Sequence, residues 1–469
     1  MRIDSVKAAI ESFFVVGDVF IEIRKDGPAR DIGDTCFDSR PNGRRVKENE
    51  MMGSWRRLGA FLGMMLSAHC LLAGNGIEEW PQFRGPERNG ISNEAGLLET
   101  WPAEGPQLIW RKPIGNGFSG ISVSGEKLFT MYSGPDGGKN TEYLAAFDVS
   151  TGQELWRTAV GDEFIEEFGN GPRSTPAVDD TRVYALSSNG KLVSAAKDSG
   201  AVLWALDLVE QVNGKRPRRG YTTSPLLDGD LLLMEVGGEE GHAFAAIDTA
   251  TGKVVWTALD GSPGYTSPLA AQIGSVRQFM FVRGDKISGV DRRGVPLWSF
   301  DWSAGTIAMP LFVPPDKVFV SAAGDVGGLV VRITKDGNGF KAEEVWRNRL
   351  LKNHFNASVA LDGYLYGFDN ASLKCVSVET GEQQWVHRGY GKGSLILAEG
   401  KLFILSDQGV LIQAAASPHG FKEAGRVQAL NGKSWTSPTL AAGRIYLRNH
   451  EEMVSFDVKK PDVDRPSGL

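Results

Sequence analysis

Short apolar runs recur along the chain from about residue 107 to residue 458, and turn-forming residues bound each run. Examples are Lys127-Leu128-Phe129, Lys317-Val318-Phe319 and Arg444-Ile445-Tyr446, each preceded by a polar or Gly-containing turn. Runs this short that alternate with Gly, Pro, Asp and Asn are typical of β-strands and too short for helices. The pattern therefore predicts an all-β protein of many short strands.

One stretch is repeated almost unchanged. Residues 148–156 run from Asp148 to Trp156 through a Thr-Gly pair, and residues 248–256 follow the same pattern to Trp256. Weaker copies end at Trp204, Trp298 and Trp385. Gly accepts a positive φ without steric cost, so each Thr-Gly pair predicts a tight turn between a strand that ends near Asp and a strand that ends on Trp.

The Trp residues set the period of the repeat. Consecutive members lie 39–52 residues apart, and the series comprises Trp110, Trp156, Trp204, Trp256, Trp298, Trp346 and Trp385. Repeats of this length made of short strands indicate the blades of a β-propeller. We interpret these Trp side chains as structural groups that dock one blade on the next, and only secondarily as stacking platforms for a ligand.

Eight segments open with a small residue, often followed by Pro, and lead into an apolar strand. They begin at Ser119, Thr175, Ser224, Ser267, Met309, Ser358, Ser394 and Ser437. The last repeat lacks its own outer strand, whereas residues 107–110 form an outer strand without a blade before it. The sequence therefore predicts an eight-bladed propeller of four-stranded antiparallel blades, over residues 107–458, closed by the N-terminal strand around Trp110.

These repeats resemble the pyrroloquinoline quinone (PQQ) repeats of the quinoprotein alcohol dehydrogenase-like propellers. That superfamily also includes the propeller lipoprotein of the outer-membrane β-barrel assembly machinery. The lead-in, residues 77–106, is similar to the opening of exported bacterial PQQ-like repeat proteins, through Trp80-Pro81-Gln82-Phe83-Arg84-Gly85 and Trp101-Pro102. The resemblance covers residues 80–458 and implies the fold more strongly than any activity.

Residues 51–76 have the features of a secretory signal peptide. Arg56 and Arg57 precede an apolar run from Leu58 to Ala73. We expect translation to start at Met51 or Met52, with residues 1–50 an extension that is wrongly assigned or disordered; a genuine leader with an internal membrane anchor is the alternative. Residues 459–469 are expected to be a disordered tail.

The signal leaves the export route open. The Arg pair also fits a twin-arginine signal, and Leu66-Ser67-Ala68-His69-Cys70 resembles a lipoprotein signal except at His69. We favour a form without lipid, exported to the periplasm or cell envelope. After removal of the signal no segment is apolar enough to span a membrane.

Composition narrows the function classes further. The net charge is −6, which argues against nucleic-acid binding. Cys36 and Cys70 precede the expected mature protein, so Cys375 has no intramolecular disulfide partner. No zinc or haem spacing and no nucleophile elbow occurs, and we predict neither a metal site nor catalytic residues.

The resemblance raises a dehydrogenase alternative. The quinoprotein dehydrogenases hold Ca²⁺ beside PQQ with Glu, Asn and often Asp, use an Asp as base, and often cover the cofactor with a vicinal disulfide. This sequence has no adjacent Cys pair, no segment that matches those motifs, and less length for covering loops. We therefore expect no cofactor; PQQ with calcium belongs only to the alternative of an alcohol or sugar dehydrogenase.

Residues just before the first strands should surround the mouth of the central channel. The candidate ligand-binding residues there are Phe118, Arg173, Tyr221, Tyr265, Asn356, Lys392 and Trp435. Aromatic rings with cationic and amide groups suit a flat or anionic ligand, although the rings alternatively plug the mouth. A glycan-binding propeller is a further alternative for this aromatic mouth.

Two oppositely charged loops flank the same predicted blade. Residues 215–219 contain four basic side chains, and residues 162–167 contain four acidic ones. Both loops should emerge on one face, where they either neutralise each other or form a polar platform for a protein. We predict a monomeric, non-catalytic scaffold that binds a protein or small-molecule ligand in the cell envelope.

Overall fold

A computed structural model describes residues 79–461 apart from Gly284 and Asn338. The predicted N-terminal extension, the signal peptide with its export variants, and residues 462–469 lie outside this range. The described residues form eight sheets of four antiparallel strands, one of which gains a fifth, parallel strand, and this confirms the eight-bladed propeller. No helix in the described range has the length and apolarity needed to cross a bilayer.

Blades 1 to 4 follow one another along the chain, each with its four strands in sequence order. Their strands are Ser122–Ser124, Lys127–Asp136, Lys139–Asp148 and Glu154–Asp162 in blade 1; Ala177–Val178, Arg182–Leu186, Lys191–Ala196 and Val202–Asp207 in blade 2; Leu226–Asp228, Leu231–Glu235, Phe244–Asp248 and Val254–Ala258 in blade 3; and Leu269–Ile273, Val276–Val282, Lys286–Val290 and Pro296–Asp301 in blade 4. A short helix, Leu208–Val212, follows blade 2 and is capped by Asp207.

Blades 5 to 8 complete the ring. Their strands are Leu311–Val313, Lys317–Ala322, Gly327–Asp336 and Gly339–Asn348 in blade 5; Val359–Leu361, Tyr364–Asp369, Ser372–Ser377 and Gln383–Arg388 in blade 6; Ser394–Ala398, Lys401–Leu405, Val410–Ala415 and Glu423–Gln428 in blade 7; and Thr439–Ala441, Arg444–Arg448, Glu452–Asp457 and Gln107–Pro113 in blade 8. The pairing of Gln107–Pro113 with Glu452–Asp457 confirms closure by the N-terminal strand.

Strand direction alternates within each blade, so the connections fall on two faces of the ring. The loops that lead into the first strands and the turns between second and third strands share one face, called the upper face. The Thr-Gly turns lie on the opposite, lower face. Middle strands such as Leu231–Glu235 are buried throughout because neighbouring blades cover both sides, whereas outer strands such as Val202–Asp207 are half exposed.

Each outer strand contains a β-bulge in the residue before the Trp position. The register shifts between Val202 and Trp204, for example, and an equivalent shift occurs in all eight blades. A bulge re-aims the side chain that follows it and blunts an exposed sheet edge. The bulge thus explains how Trp can turn from the outer strand toward the next blade.

Six of the seven Trp residues donate their ring N–H to the lower-face turn of the next blade. The acceptors are the carbonyls of Val149, Lys197, Thr249, Arg292, Val378 and Ser417, for Trp110, Trp156, Trp204, Trp256, Trp346 and Trp385 in that order. Trp298 differs, since it donates to Gln278 of its own blade at 2.7 Å. Blade 5 has a long third-to-fourth-strand hairpin in place of a Thr-Gly turn, and Gly289 leaves room for the ring within blade 4.

The lead-in enters the centre of the ring, which the sequence did not predict. Residues 80–92, called the plug, bond to the first strands of blades 1, 2 and 7. Trp80 pairs with Val123, Pro81 accepts from Val178, and Gly90 accepts from Leu397. Ile91–Ser92 then adds a short parallel strand to blade 7. Because first strands line the central channel, the plug occupies that channel.

Two arginines of the plug are fully buried in the channel. Arg84 donates to the carbonyls of Ala357 at 3.2 Å and Ser358 at 2.6 Å, and Arg88 donates to Pro225 at 2.8 Å. Desolvation lowers the pKa of Arg84 to about 10 and that of Arg88 to about 9. The guanidinium groups thus fix the plug to blades 3 and 6 by charge-assisted hydrogen bonds.

The chain continues to pair with the lead-in beyond residue 458, the predicted end of the propeller. Lys459 forms an isolated bridge with Leu97, and the backbone N–H of Lys460 donates to Gly96 at 2.8 Å. Residues 459–461, which the sequence placed in the tail, are therefore ordered against the lead-in. The reason is that the end of the lead-in offers free backbone groups beside blade 8.

Candidate functional site

A cavity of about 450 Å³ opens on the upper face at the mouth of the central channel. We call it the cup. Each blade contributes a residue from the loop before its first strand; in blade order these are Phe118, Arg173, Thr222, Tyr265, Ile307, Asn356, Lys392 and Trp435. Phe83 of the plug also lines the cup. The plug thus lies beneath a pocket whose volume is in the usual range for ligand sites.

Six of the seven candidate residues from the sequence line the cup. They are Phe118, Arg173, Tyr265, Asn356, Lys392 and Trp435. Tyr221 is the exception, because its side chain is 2% exposed and its hydroxyl donates to the carbonyl of Val236 at 3.0 Å. The neighbouring Thr222 takes the lining position in blade 3, so the sequence alignment of that blade was displaced by one residue.

Aromatic rings form one wall of the cup. Phe118 and Trp435 stack with centroids 5.7 Å apart at an interplanar angle of 20°, and Phe355 lies 5.1 Å from Trp435. His450 meets Phe118 edge-on at 4.0 Å from behind. Burial, together with the charges of Arg448, Lys433 and Arg173, lowers the pKa of His450 to about 4. The wall is therefore backed by a neutral imidazole at neutral pH.

Glu166 holds two arginines at another side of the cup. Its carboxylate, 8% exposed, binds Arg173 at 3.2 Å and also pairs with Arg219. Glu167 pairs with Arg219 at 2.9 Å. This contact places the two oppositely charged loops on the same face. Their direct pairing runs through Arg219, while Lys215 pairs with Glu239 and Asp162 pairs with Lys139. Both guanidinium groups also lie over rings, Arg173 over Phe118 and Arg219 over Phe168.

Lys392 is the cationic lining residue whose ammonium group makes no ion pair within the described range. Its backbone N–H donates to Asp407 at 3.1 Å, whereas its ammonium has neither a hydrogen bond nor an ion pair with residues 79–461. His354, also in the lining, has its pKa lowered by burial and then by the charge of Lys392. Its buried Nδ1 has no partner among the residues described. These two groups form the polar corner of the cup.

The side chain of Asn356 is hydrogen-bonded to residues in the walls of the cup. Its amide donates to the carbonyl of Gly393 at 3.2 Å, and its oxygen accepts from the hydroxyl of Ser437 at 3.2 Å. Asn356 therefore ties the loops of blades 6, 7 and 8 together. The side chain positions its neighbours, and these two bonds use one of its two N–H donors and one lone pair of its oxygen.

Two buried carboxyl groups support the upper-face loops. Glu142 accepts from the backbone N–H of Ser188 at 2.9 Å and of Phe164 at 3.4 Å, and Glu235 accepts from Gly264. Burial raises the pKa of Glu142, and it raises that of Glu235 to about 8. Each carboxyl group fixes a loop that leads into a neighbouring blade, Phe164 before blade 2 and Gly264 before blade 4.

Several lining residues had no sequence signal that assigned them to the mouth. Phe83 comes from the plug, and Phe355 lies one residue before the predicted mouth residue Asn356. Glu166, Phe168 and Arg219 come from the charged loops, whose composition marked the face but not the cavity. Within residues 79–461, no group of three or more His, Cys, Asp or Glu side chains is placed to hold a metal ion.

Comparison with known proteins assigns the repeats to a protein family. The family model described as outer membrane protein assembly factor BamB matches residues 140–387. The protein of that name from Shewanella oneidensis is 23% identical over 213 residues, which cover 45% of this chain and 49% of that protein. The one from Yersinia pestis is 23% identical over 199 residues, 39% of this chain and 45% of that protein. The match thus spans about half the length of each relative.

Solved structures share the fold at low sequence identity. BamB from Moraxella catarrhalis superposes with a TM-score of 0.53 at 14% identity, covering 75% of this chain and 99% of that one. The quinohemoprotein alcohol dehydrogenase from Comamonas testosteroni gives a TM-score of 0.57 at 11% identity, covering 84% of this chain and 82% of that one. Both similarities concern the propeller fold and leave its function open.

Proposed function

Because the chain belongs to the BamB family of PQQ-repeat β-propellers, we propose that it is a non-catalytic scaffold that docks a protein partner in the cell envelope. The proposal rests on the upper face. There an aromatic cup adjoins exposed apolar side chains of the loop that leads into blade 2, and ion pairs and buried carboxyl groups hold the upper-face loops in place. Binding surfaces of this kind sit on loops positioned by a rigid scaffold.

The observation that supports docking is the apolar exposure around the cup. Ile165 is 68% exposed and Phe168 is 46% exposed, both on the loop that leads into blade 2. A second depression of about 490 Å³ lies beside the cup and shares Phe168 with it. Large exposed apolar side chains next to concave, polar-rimmed surface are characteristic of protein interaction sites.

The envelope location is supported by the relatives and by the sequence. The relatives from Shewanella and Yersinia are named as outer membrane assembly factors. The basic and apolar segment from Arg56 to Ala73 is a candidate secretory signal. We propose that the protein is exported, that it acts outside the cytoplasm, and that its partner belongs to the same compartment.

The donor set of the cup does not fit calcium-bound PQQ. Ca²⁺ takes six to eight oxygen ligands, mostly carboxylate and carbonyl. Glu166 is the carboxylate of the described lining, and both of its oxygens already face guanidinium groups. Asn356, the lining amide, is used between blades. We therefore propose that the cup works without a quinone cofactor.

Site-specific photocrosslinking in cells tests docking. A photoreactive amino acid replaces Phe168 on the upper face or, as the control, exposed Ser199 on the lower face of the full chain. We expect a defined adduct from position 168 and a weak or different pattern from position 199. Identical adduct patterns at the two positions would contradict docking on the upper face.

A further inference from the structure

We infer that the cup receives an aromatic side chain next to a carboxylate, presented by an extended segment of the partner protein. This inference rests on the proposed function and specifies its ligand. It combines three features of the upper face: the apolar wall, the unpaired cation inside the cup, and the apolar side chains outside it.

The wall selects an aromatic or similarly flat apolar group. The rings of Phe118 and Phe355 lie 5.7 Å and 5.1 Å from that of Trp435, and Phe83 adds a ring from the plug. Rings at such distances gain from offset or edge contacts with a further ring beyond simple burial of area. An aromatic side chain therefore fits this wall better than an aliphatic one of similar size.

The charge balance selects an anion. The charged residues of the lining are Arg173, Arg219, Lys392 and the carboxylate of Glu166. Glu166 is bound by both arginines, and the ammonium of Lys392 makes no ion pair with the described residues. The carboxylate of Asp407, outside the lining, accepts from the backbone N–H of Lys392. The cup therefore carries excess positive charge, and a carboxylate beside Lys392 would restore the balance through a charge-assisted hydrogen bond.

The surroundings favour a protein segment over a small molecule. A small ligand inside the cup would leave Ile165 exposed, since this residue lies outside the lining. The second depression begins at Phe168 and continues past Lys433 to Glu451. Lys433 itself is held over Trp435 at 4.4 Å and donates to the carbonyl of Phe168 at 3.1 Å. An extended chain that fills the cup can continue over this surface, which gives it further contacts.

Peptide binding to the purified full chain tests the inference. The probe is a hexapeptide with blocked ends, Gly-Ser-Phe-Asp-Ser-Gly. Binding is followed by the Trp fluorescence of the wild type, and the Trp435→Phe variant shows which part of the signal comes from Trp435. Matched peptides replace Phe by Ala or Asp by Asn. Phenylacetate, which carries the same ring and charge without a backbone, is the small-molecule arm.

Lys392→Gln removes the cation and keeps the size of the side chain. We expect it to weaken binding of the Phe-Asp peptide about tenfold or more, as is usual when a hydrogen bond to a charged group is lost. Binding of the Phe-Asn peptide should change little. Lys253→Gln, an exposed change on the lower face, is the matched control and should leave both affinities unchanged.

The outcomes separate this inference from the proposed function. Equal binding of the Phe-Asp and Phe-Asn peptides, or no effect of Lys392→Gln, would overturn the anion preference. Equal affinity for phenylacetate would overturn the choice of a segment. Failure of every peptide to bind at millimolar concentration overturns the inference but leaves docking intact if adducts still form at position 168.

Discussion

Trp101 of the lead-in lies against Phe403 of blade 7, with ring centroids 6.2 Å apart and planes 29° apart. In five other blades the repeat Trp makes the same contact, at 6.0–6.1 Å, with the aromatic residue of the second strand. Blade 7 has no Trp in its outer strand, Glu423–Gln428. The lead-in therefore supplies from a distance the ring that the local repeat lacks.

Replacing Trp101 by Ala should destabilise the protein by about 3–5 kcal/mol, because a buried ring is lost and blade 7 has no other Trp to close the gap. The measurement is the urea midpoint of the full chain. Leu203→Ala, at a side chain that is 49% exposed, serves as the control and should cost about 0.5 kcal/mol or less. An unchanged midpoint for Trp101→Ala would contradict its role in blade 7.

The turn glycines are matched to the Trp rings. A Cβ on Gly252 would lie 2.7 Å from the ring of Trp204, and the residue has φ of +72°. Gly400 has almost the same φ, +69°, with nothing within 4 Å. Gly400→Ala should cost about 1–2 kcal/mol from the left-handed backbone alone, whereas Gly252→Ala should cost distinctly more. Equal losses in urea unfolding would show that the ring contact is unimportant.

The plug should depend on its buried arginines. Arg84→Met removes the donors for Asn89, Ala357 and Ser358 and leaves their carbonyls without that partner. We expect a loss of roughly 1–3 kcal/mol for each buried carbonyl left unsatisfied, less whatever water recovers. Arg218→Met, at an exposed residue of the charged loop, should lie within about 0.5 kcal/mol of the wild type. Similar midpoints for the two variants would argue against an anchored plug.

Glu235 should make stability depend on pH. Its folded pKa of about 8 lies above its ordinary value because the carboxyl group is fully buried, with Tyr221 as a titratable neighbour. The protonated form is favoured in the folded state, so this contribution is complete below about pH 4.5 and is lost as the pH rises through 8. Glu235→Gln should therefore be most stabilising, relative to the wild type, near pH 8.

Melting temperatures between pH 5 and pH 8 check this prediction. The difference between Glu235→Gln and the wild type should grow with pH. Glu104→Gln, at an exposed residue of the lead-in, is the control and should give parallel curves. A constant difference for Glu235→Gln across the range would show that this carboxyl group stays ionised in the folded protein.

The sequence predicted those features that each repeat carries within itself. The Trp positions, the Thr-Gly turns and the eight strand openings are local, and they led to the blade number and to closure by the strand around Trp110. The mouth residues followed from the same repeat, with a one-residue displacement at Tyr221. Trp298 shows where prediction from the repeat fails. Its ring bonds within its own blade, because blade 5 has a long hairpin in place of the turn that would accept it.

The plug escaped prediction because its contacts are between residues far apart in the chain. Arg84 and Ser358 are separated by 274 positions, and Arg88 and Pro225 by 137. No short-range pattern marks Arg84 as a buried residue, since Arg is rarely found fully buried. Phe83, the lining residue that the plug contributes, was missed for the same reason.

The measurement that tests the account most directly is a titration of the purified full chain with PQQ and Ca²⁺, followed by Trp fluorescence and by dye-linked oxidation of alcohols. The Trp435→Phe variant separates quenching in the cup from quenching elsewhere. We predict no Ca²⁺-dependent quenching of Trp435 at tens of micromolar quinone and no dye reduction. Saturable, Ca²⁺-dependent quenching that Trp435→Phe removes, accompanied by turnover, would show that the cup is a quinone site and that the protein is an enzyme.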